Sequence, residues 1–266
     1  MGALHRGHAS LLELGRRLAG NTGCLVASIF VNPTQFGPGE DLDAYPRTLE
    51  ADLACCAAAG VDIAFCPAPD AIYRTAHSTT VTETVLARGL CGASRPGHFD
   101  GVCTVVLKLF NLVSPDSAVF GKKDYQQLAV IRRMVADLDV PIEIIGAETV
   151  REDDGLAMSS RNAYLTAEER SKAPAIRRAL LAAKDLHAAT DPTPTELAEA
   201  TRAMLARQAP GARIDYLEIV DRDSLERLEP DVPTPATALL ATAVFFDKTR
   251  LIDNIELVRP AKKTEL

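Results

Sequence analysis

Two histidines three residues apart, His5 and His8, stand in the segment Met1-Gly-Ala-Leu-His-Arg-Gly-His8, ahead of a helix-like stretch. At that spacing both rings face the same way on a first helical turn. A helix N-terminus offers N–H groups and positive potential, which suits phosphate oxygens. Gly7 removes a side chain where a ligand would approach the backbone. The imidazoles can donate to a phosphoryl group as charge develops on it; the bland alternative is a pair of surface or capping histidines. Far downstream, Met158-Ser-Ser-Arg161 sets two hydroxyls beside a guanidinium. Such a set can wrap a polyphosphate, although alone it reads as a solvated loop. Gly121-Lys-Lys-Asp124 falls where a strand feeds a helix, the expected ligand position in an open α/β sheet. Lys122 and Lys123 would balance triphosphate charge, and Asp124 would cap the helix, contact a ribose or face Mg²⁺. Gln35 follows an apolar strand and Gln127 lies one turn into a helix. An amide can bond hydroxyl and carboxylate oxygens without adding charge. Arg47 and Arg95 sit in polar loops and read as loop anchors or salt bridges rather than substrate contacts.

These residues need elements to hold them. Leu11, Leu14 and Leu18 recur at helical spacing, and Cys24 to Val31 is a strand-like run closed by Asn32-Pro33. Leu49 to Ala59 predicts a helix, Val61 to Cys66 a strand, and Val102 to Val113 a helix. Ser117 to Phe120 predicts a strand leading into Gly121, and Pro141 to Ile145 another. Between them Asp124 to Leu138 is an amphipathic helix with Leu128, Ile131, Val135 and Leu138 on one face. The alternation predicts a doubly wound α/β domain with a parallel sheet over residues 1–149. After Val150 the pattern changes. Thr166 with Glu169, and Thr193 with Glu196, form capping-box signatures ahead of two helices. Strand-like runs follow at Ile214 to Val220, Ala238 to Phe246 and Leu251 to Val258. This predicts a smaller α+β domain over residues 150–266.

Bulk properties narrow the function. The 266 residues carry a net charge of −7 with 47% apolar and 24% charged residues, as a globular protein does. With no Lys/Arg stripe, nucleic acid is not an expected partner. No apolar run approaches the roughly 18 residues of a membrane span, and His5, Arg6 and His8 interrupt any secretory h-region. The six cysteines form no C-x-x-C pair, and Cys24, Cys66 and Cys103 sit among apolar residues. They read as reduced thiols of a cytoplasmic protein, with no metal site. There is no P-loop, no G-x-G-x-x-G after a strand and no G-x-S-x-G elbow.

H-x-G-H near the start and M-S-S-R downstream together make the two halves of an adenylate-forming nucleotidylyltransferase site. The chain resembles the pantoate–β-alanine ligase (pantothenate synthetase) family. The likeness is carried by MGALHRGH at 1–8, SIFVNPTQF at 28–36, GEDLDAYPRT at 39–48, RPGHFDGVCTVVLKLFN at 95–111, FGKKDYQQL at 120–128, VREDDGLAMSSRN at 150–162 and DYLEIVD at 215–221. The resemblance implies a Rossmann-like domain with a C-terminal lid, and an ATP- and Mg²⁺-dependent ligase acting through pantoyl adenylate. It implies a homodimer. On matching positions, Met1, Gly2, Ala3, Leu4, His5, Arg6, Gly7 and His8 line the ATP site, with His8 the catalytic proton donor. Gly121, Lys122, Lys123, Asp124, Val150, Met158, Ser159, Ser160 and Arg161 also bind ATP. Gln35 binds pantoate and β-alanine, and Gln127 binds pantoate. The family carries a further helix and strand ahead of Met1, so Met1 is expected to be internal, with coding sequence continuing upstream. The alternatives are another H-x-G-H nucleotidylyltransferase, a small aminoacyl-tRNA synthetase relative, disfavoured by acidic charge and length, and a nucleotide-binding scaffold without catalysis.

Overall fold

The computed structural model describes residues 1–259; residues 260–266, the end of the expected second domain, lie outside the described residues. The chain forms two compact units. The first comprises Met1–Arg88, Arg95–Val150 and Met158–Ser160, and the second comprises Gly89–Ser94, Arg151–Ala157 and the chain from Arg161 onward. Among the described residues no helix is long and apolar enough to cross a membrane.

The first unit is of α/β type, with two parallel strand pairs each joined through a helix. Strand β1 (Val26–Ser28) connects through helix α2 (Leu49–Ala58) to β2 (Ile63–Phe65), with Val26 opposite Ile63. Strand β3 (Ser117–Gly121) connects through helix α6 (Tyr125–Asp137) to β4 (Glu143–Ala147), with Ser117 opposite Glu143. The paired part of β1 is shorter than the apolar run that marks it, because apolarity reports burial and pairing needs a partner's backbone. Helix α1 (Arg6–Ala19) packs on β1 and α2 through Leu12, Ala27, Ile29 and Cys56. Its buried line runs through Leu12 rather than Leu18, which is exposed. Met1 extends alongside β1: its ammonium donates to Ser28 O at 2.9 Å and its carbonyl accepts from Phe30 N at 2.7 Å. The H-x-G-H turn therefore follows a residue bonded on both sides to the β1 segment.

Helix α5 (His98–Val113) starts four residues before the expected Val102. Its N-cap is Gly97 with φ 81°, and no side chain caps it, so the usual Ser/Thr/Asp/Asn signal is missing. The segment expected as a polar loop thus places His98 and Phe99 in a buried first turn. α5 packs against α6, whose buried face holds Leu128, Ile131, Met134 and Val135. Leu138 is not on that face; it is the C-cap and is exposed. Cys24 and Cys66 are exposed rather than apolar filler, while Cys103 is fully buried. Burial pushes its thiol up to about 12. A short helix, α3 (Pro69–Ile72), buries Ile72.

The second unit is an antiparallel sheet of β5 (Arg213–Val220), β6 (Thr237–Phe246) and β7 (Thr249–Val258), with β6 central. Helices α8 (Ala175–Ala189) and α9 (Pro194–Gln208) share its core through Ile176, Leu180, Leu197, Leu240 and Leu257. Both expected capping boxes form, at α7 (Ala167–Lys172) and α9. Helix α4 (Leu90–Ser94) belongs to this unit and packs on β5 and β6. Strand β7 alternates buried and partly exposed residues, and its buried set includes Asp253, 3% exposed. Arg151 meets that carboxylate with two bonds, 2.7 and 3.0 Å. The guanidinium also donates to Gly155 O at 3.1 Å, so it ties down the segment that leads to Met158.

Removing one partner of a buried ion pair strands the other charge, at a cost of about 3–5 kcal/mol. Asp253→Ala is expected to lower unfolding stability by that amount in denaturant titrations. A loss below about 1 kcal/mol, the range of a surface pair, would contradict this role.

Candidate functional site

In the first unit, His5 and His8 close the first turn of α1 as a capping box, His5 being the N-cap and His8 the third helical residue. The Gly7 N–H donates to His5 Nδ1 at 3.1 Å, and the His5 N–H donates to His8 Nδ1 at 3.3 Å. A backbone N–H can only donate, so both Nδ1 atoms accept and each ring carries its proton on Nε2. The capping role weighed from sequence is thus made, and it leaves the Nε2–H of each ring outside the cap. The rings lie 4.0 Å apart between centroids. A Cβ on Gly7 would sit 2.9 Å from His5 Cε1 and 3.5 Å from Met158 Cβ. Glycine is what admits the His5 ring, and Met158 closes on the same spot.

The turn before the helix is held by a residue that sequence reasoning missed. Asp52 of α2, 2% exposed, accepts from the Ala3 N–H at 2.9 Å and the Leu4 N–H at 2.7 Å. Thr48 Oγ1 donates to the same carboxylate at 3.0 Å. These bonds stabilise Ala3 at φ 49°, an uncommon conformation for a residue with a Cβ. The only sequence signal is a carboxylate four residues before Cys56, on the buried side of an Ala/Leu/Cys helix. The N–H groups of Ala3 and Leu4 are committed to Asp52.

Burial holds His8 far below its ordinary value, at about 3. His5, the Met1 ammonium and Lys123 act in the same direction, and Asp124 opposes them. Lys123 and Asp124 therefore share the electrostatic environment of His8. Lys122 pairs with Glu148, and Lys123 with Asp124 at 3.2 Å. Asp124 occupies the N-cap of α6 but makes no side-chain cap bond; its carboxylate goes to the lysine. The expected helix-cap role is thus not made.

Gln35 ends a 3-10 turn, Pro33–Gln35, after β1. A Cβ on Gly101 of α5 would lie 2.5 Å from Thr34 O and 2.7 Å from Gln35 N. Only glycine lets that turn rest directly on the helix. Asn32, 3% exposed, donates from Nδ2 to Gly101 O at 3.0 Å and weakly to Gln35 Oε1 at 3.4 Å. Its own Oδ1 accepts from Tyr73 and Thr34. Gln35 Oε1 therefore accepts from Asn32. In α6, Gln126 is buried and donates to Leu86 O at 2.8 Å. Its neighbour Gln127 is half-buried, and its side-chain amide makes no hydrogen bond within the described residues.

Met158 N donates to Val150 O at 3.0 Å, and Ser160 Oγ bonds Tyr45 OH at 2.9 Å. Met158, Ser159 and Ser160 belong to the first unit and Arg161 to the second. Arg47 donates to the carbonyls of Leu42, Asp43 and Tyr45, and Arg95 pairs with Glu40. Both arginines are loop anchors, as their sequence context suggested.

A family model described as Pantoate-beta-alanine ligase matches residues 1–256. The chain is 57% identical over 258 residues to a pantothenate synthetase of Akkermansia muciniphila, covering 97% of this chain and 90% of that relative. It is similar to the crystal structure of pantothenate synthetase from Thermus thermophilus, with a TM-score of 0.90 at 49% identity, covering 97% and 91% of the two chains. A pantoate-beta-alanine ligase from Francisella tularensis, complexed with beta-gamma ATP and beta-alanine, gives a TM-score of 0.76 at 33% identity, covering 96% and 86%.

Because the folded state favours the neutral His8 ring, its contribution to stability is complete above 6.5 and is lost as pH falls towards about 3. His98, held down to about 4, acts in the same sense over 6.5 to 4. In an NMR titration the His8 ring is expected to stay neutral through the range where an ordinary histidine protonates. Added tripolyphosphate should raise its midpoint, since nearby negative charge favours the cation. An ordinary midpoint near 6.5 in the ligand-free protein would contradict the burial of the ring.

Proposed function

The chain belongs to the pantoate–β-alanine ligase family, and from that premise we propose how its residues carry the reaction. The enzyme condenses pantoate with β-alanine at the expense of ATP, through pantoyl adenylate. A carboxylate oxygen of pantoate attacks the α-phosphorus, the bond to the bridging oxygen breaks, and pyrophosphate leaves with the electron pair. The unprotonated amine of β-alanine then attacks the acyl carbon. The acyl–oxygen bond breaks, AMP departs, and the amine gives up a proton.

The observation that carries the residue assignment is the locked pair of Nε2–H donors on His5 and His8. Hydrogen bonds aimed at developing phosphoryl charge act in the transition state without reorganisation. His8 acts through its Nε2–H while Nδ1 keeps its bond from the His5 N–H. Met1 to His8, Gly121 to Asp124, Val150 and Met158 to Arg161 are assigned to ATP. Lys122 and Lys123 exchange their carboxylate partners for phosphate oxygens. Gln35 binds pantoate and β-alanine, and Gln127 binds pantoate; its uncommitted amide supports this. Rate then comes from alignment and charge stabilisation, with no covalent enzyme intermediate. The nucleotide and pantoate part is assigned to residues 1–149 and a lid to 150–266; the change of unit after Val150 supports this, while Met158–Ser160 go with the first unit and Gly89–Ser94 with the second.

Magnesium fits this site as a companion of the nucleotide. Among the described residues no group of three or more His, Cys, Asp or Glu side chains gathers as a metal cage. Asp124, beside His8 and Lys123, is a single carboxylate, and Mg²⁺ is commonly held by one or two carboxylates with substrate phosphates and water. Bound there, the ion would offset phosphate charge. A cytoplasmic location is supported by six free thiols. A homodimer is proposed from the family likeness.

Exchange of labelled pyrophosphate into ATP should require pantoate and not β-alanine, and β-alanine should then yield pantothenate and AMP. His8→Ala should slow that exchange by about 10²–10³, as for loss of one transition-state donor. ATP binding without pantoate-dependent exchange would overturn the function. Near-unchanged exchange in the variant would remove His8 from its role.

A further inference from the structure

The segment Arg95 to Gly101 forms the seat of the Gln35 turn, and its polar side chains converge on one atom. Arg95 Nη2 donates to the Gln35 carbonyl at 3.2 Å. His98 Nδ1 lies 2.8 Å from the same oxygen. A carbonyl only accepts, so Nδ1 carries a proton. Arg95 Nη1 stands 3.2 Å from His98 Nε2, and a guanidinium only donates, so Nε2 accepts. Both contacts hold together in one state alone, the neutral ring protonated on Nδ1. Glu40 completes the cluster, accepting from Arg95 Nε and Nη2 at 2.6 Å each. The ring is 7% exposed and stacks edge-on against Phe99. Burial, then the Arg95 charge, keep it neutral at ordinary pH.

We propose that His98 is a positioning residue for Gln35: clamped between Arg95 and the Gln35 carbonyl, it fixes the amide that holds the two carboxylic acid substrates. It touches no substrate itself. The backbone of the turn is pinned at the Gln35 carbonyl by His98 and Arg95, and at Thr34 by its close approach to Gly101. The side chain beyond it is steered by Asn32. Loss of the His98 bond frees the carbonyl end of the turn, and small misplacements of a binding group are costly. ATP, assigned to the H-x-G-H turn, does not depend on this seat.

The inference rests on Gln35 binding pantoate and β-alanine, and steady-state kinetics of the full chain separates the two claims. His98→Ala is expected to raise KM for pantoate and β-alanine roughly tenfold or more, with KM for ATP nearly unchanged. His98→Asn, whose amide N–H stands where Nδ1–H stood, should recover most of that loss. His98→Gln, whose amide reaches the Nε2 position instead, should not. Equal effects of Asn and Gln, or a matching rise in KM for ATP, would overturn the positioning role, and this comparison stands even if the alanine variant fails to fold. Gln35→Ala is the control. If it leaves both acid KM values unchanged, the Gln35 assignment fails; if it raises them while His98→Ala does not, the His98 proposal alone fails.

Discussion

The first turn of α1 spends two backbone N–H groups on its own histidines, and that constraint organises the site. The Gly7 and His5 amides enter Nδ1 of His5 and Nδ1 of His8, which satisfies helix-end donors that need partners. The same bonds decide which ring nitrogen keeps the proton. A capping device and a pair of directed donors are one arrangement, so a change that loosens the cap also misdirects the donors. Gly7 makes room for it, and Asp52 secures the chain just before it by accepting from Ala3 and Leu4. The H-x-G-H turn is thereby specified from below by α2 and from within by its own rings.

Around that turn the charges are provisional. Lys122 and Lys123 rest on Glu148 and Asp124, contacts of largely exposed or half-exposed carboxylates that cost little to exchange. His8 is kept neutral mainly by burial. A polyanion entering this region would find donors already oriented and cations able to change partners. The Gln35 side of the site is built differently. It relies on a close backbone approach at Gly101 and on Asn32, His98 and Arg95, all fixed in place. One half is built on exchangeable charge and the other on shape and hydrogen bonding, a division consistent with the proposed binding of a triphosphate and two small acids.

Much of this was legible in the residues. Two capping boxes, the strand–helix alternation and the anchoring role of Arg47 and Arg95 follow from local chemistry, and the structure carries each of them. What local chemistry missed has a physical cause in each case. Helix α5 begins at His98 because Gly97 adopts a left-handed conformation, which no capping residue announces. Asp52 looks like a solvated carboxylate until the fold brings the Ala3 and Leu4 amides to it. Asp124 stands at a cap position, yet the neighbouring Lys123 takes its carboxylate. The apolar run of β1 marked the burial of Ala27 and Ile29 but not the three-residue extent of pairing. Long-range partners were the common omission.

The central claim is that the backbone assigns the tautomers of His5 and His8. Nitrogen-15 NMR of the imidazole rings in the ligand-free protein at neutral pH reads this directly. Both rings are expected to show a protonated Nε2 and an unprotonated, hydrogen-bonded Nδ1. A proton on Nδ1 of either ring, or a freely exchanging mixture of tautomers, would contradict it.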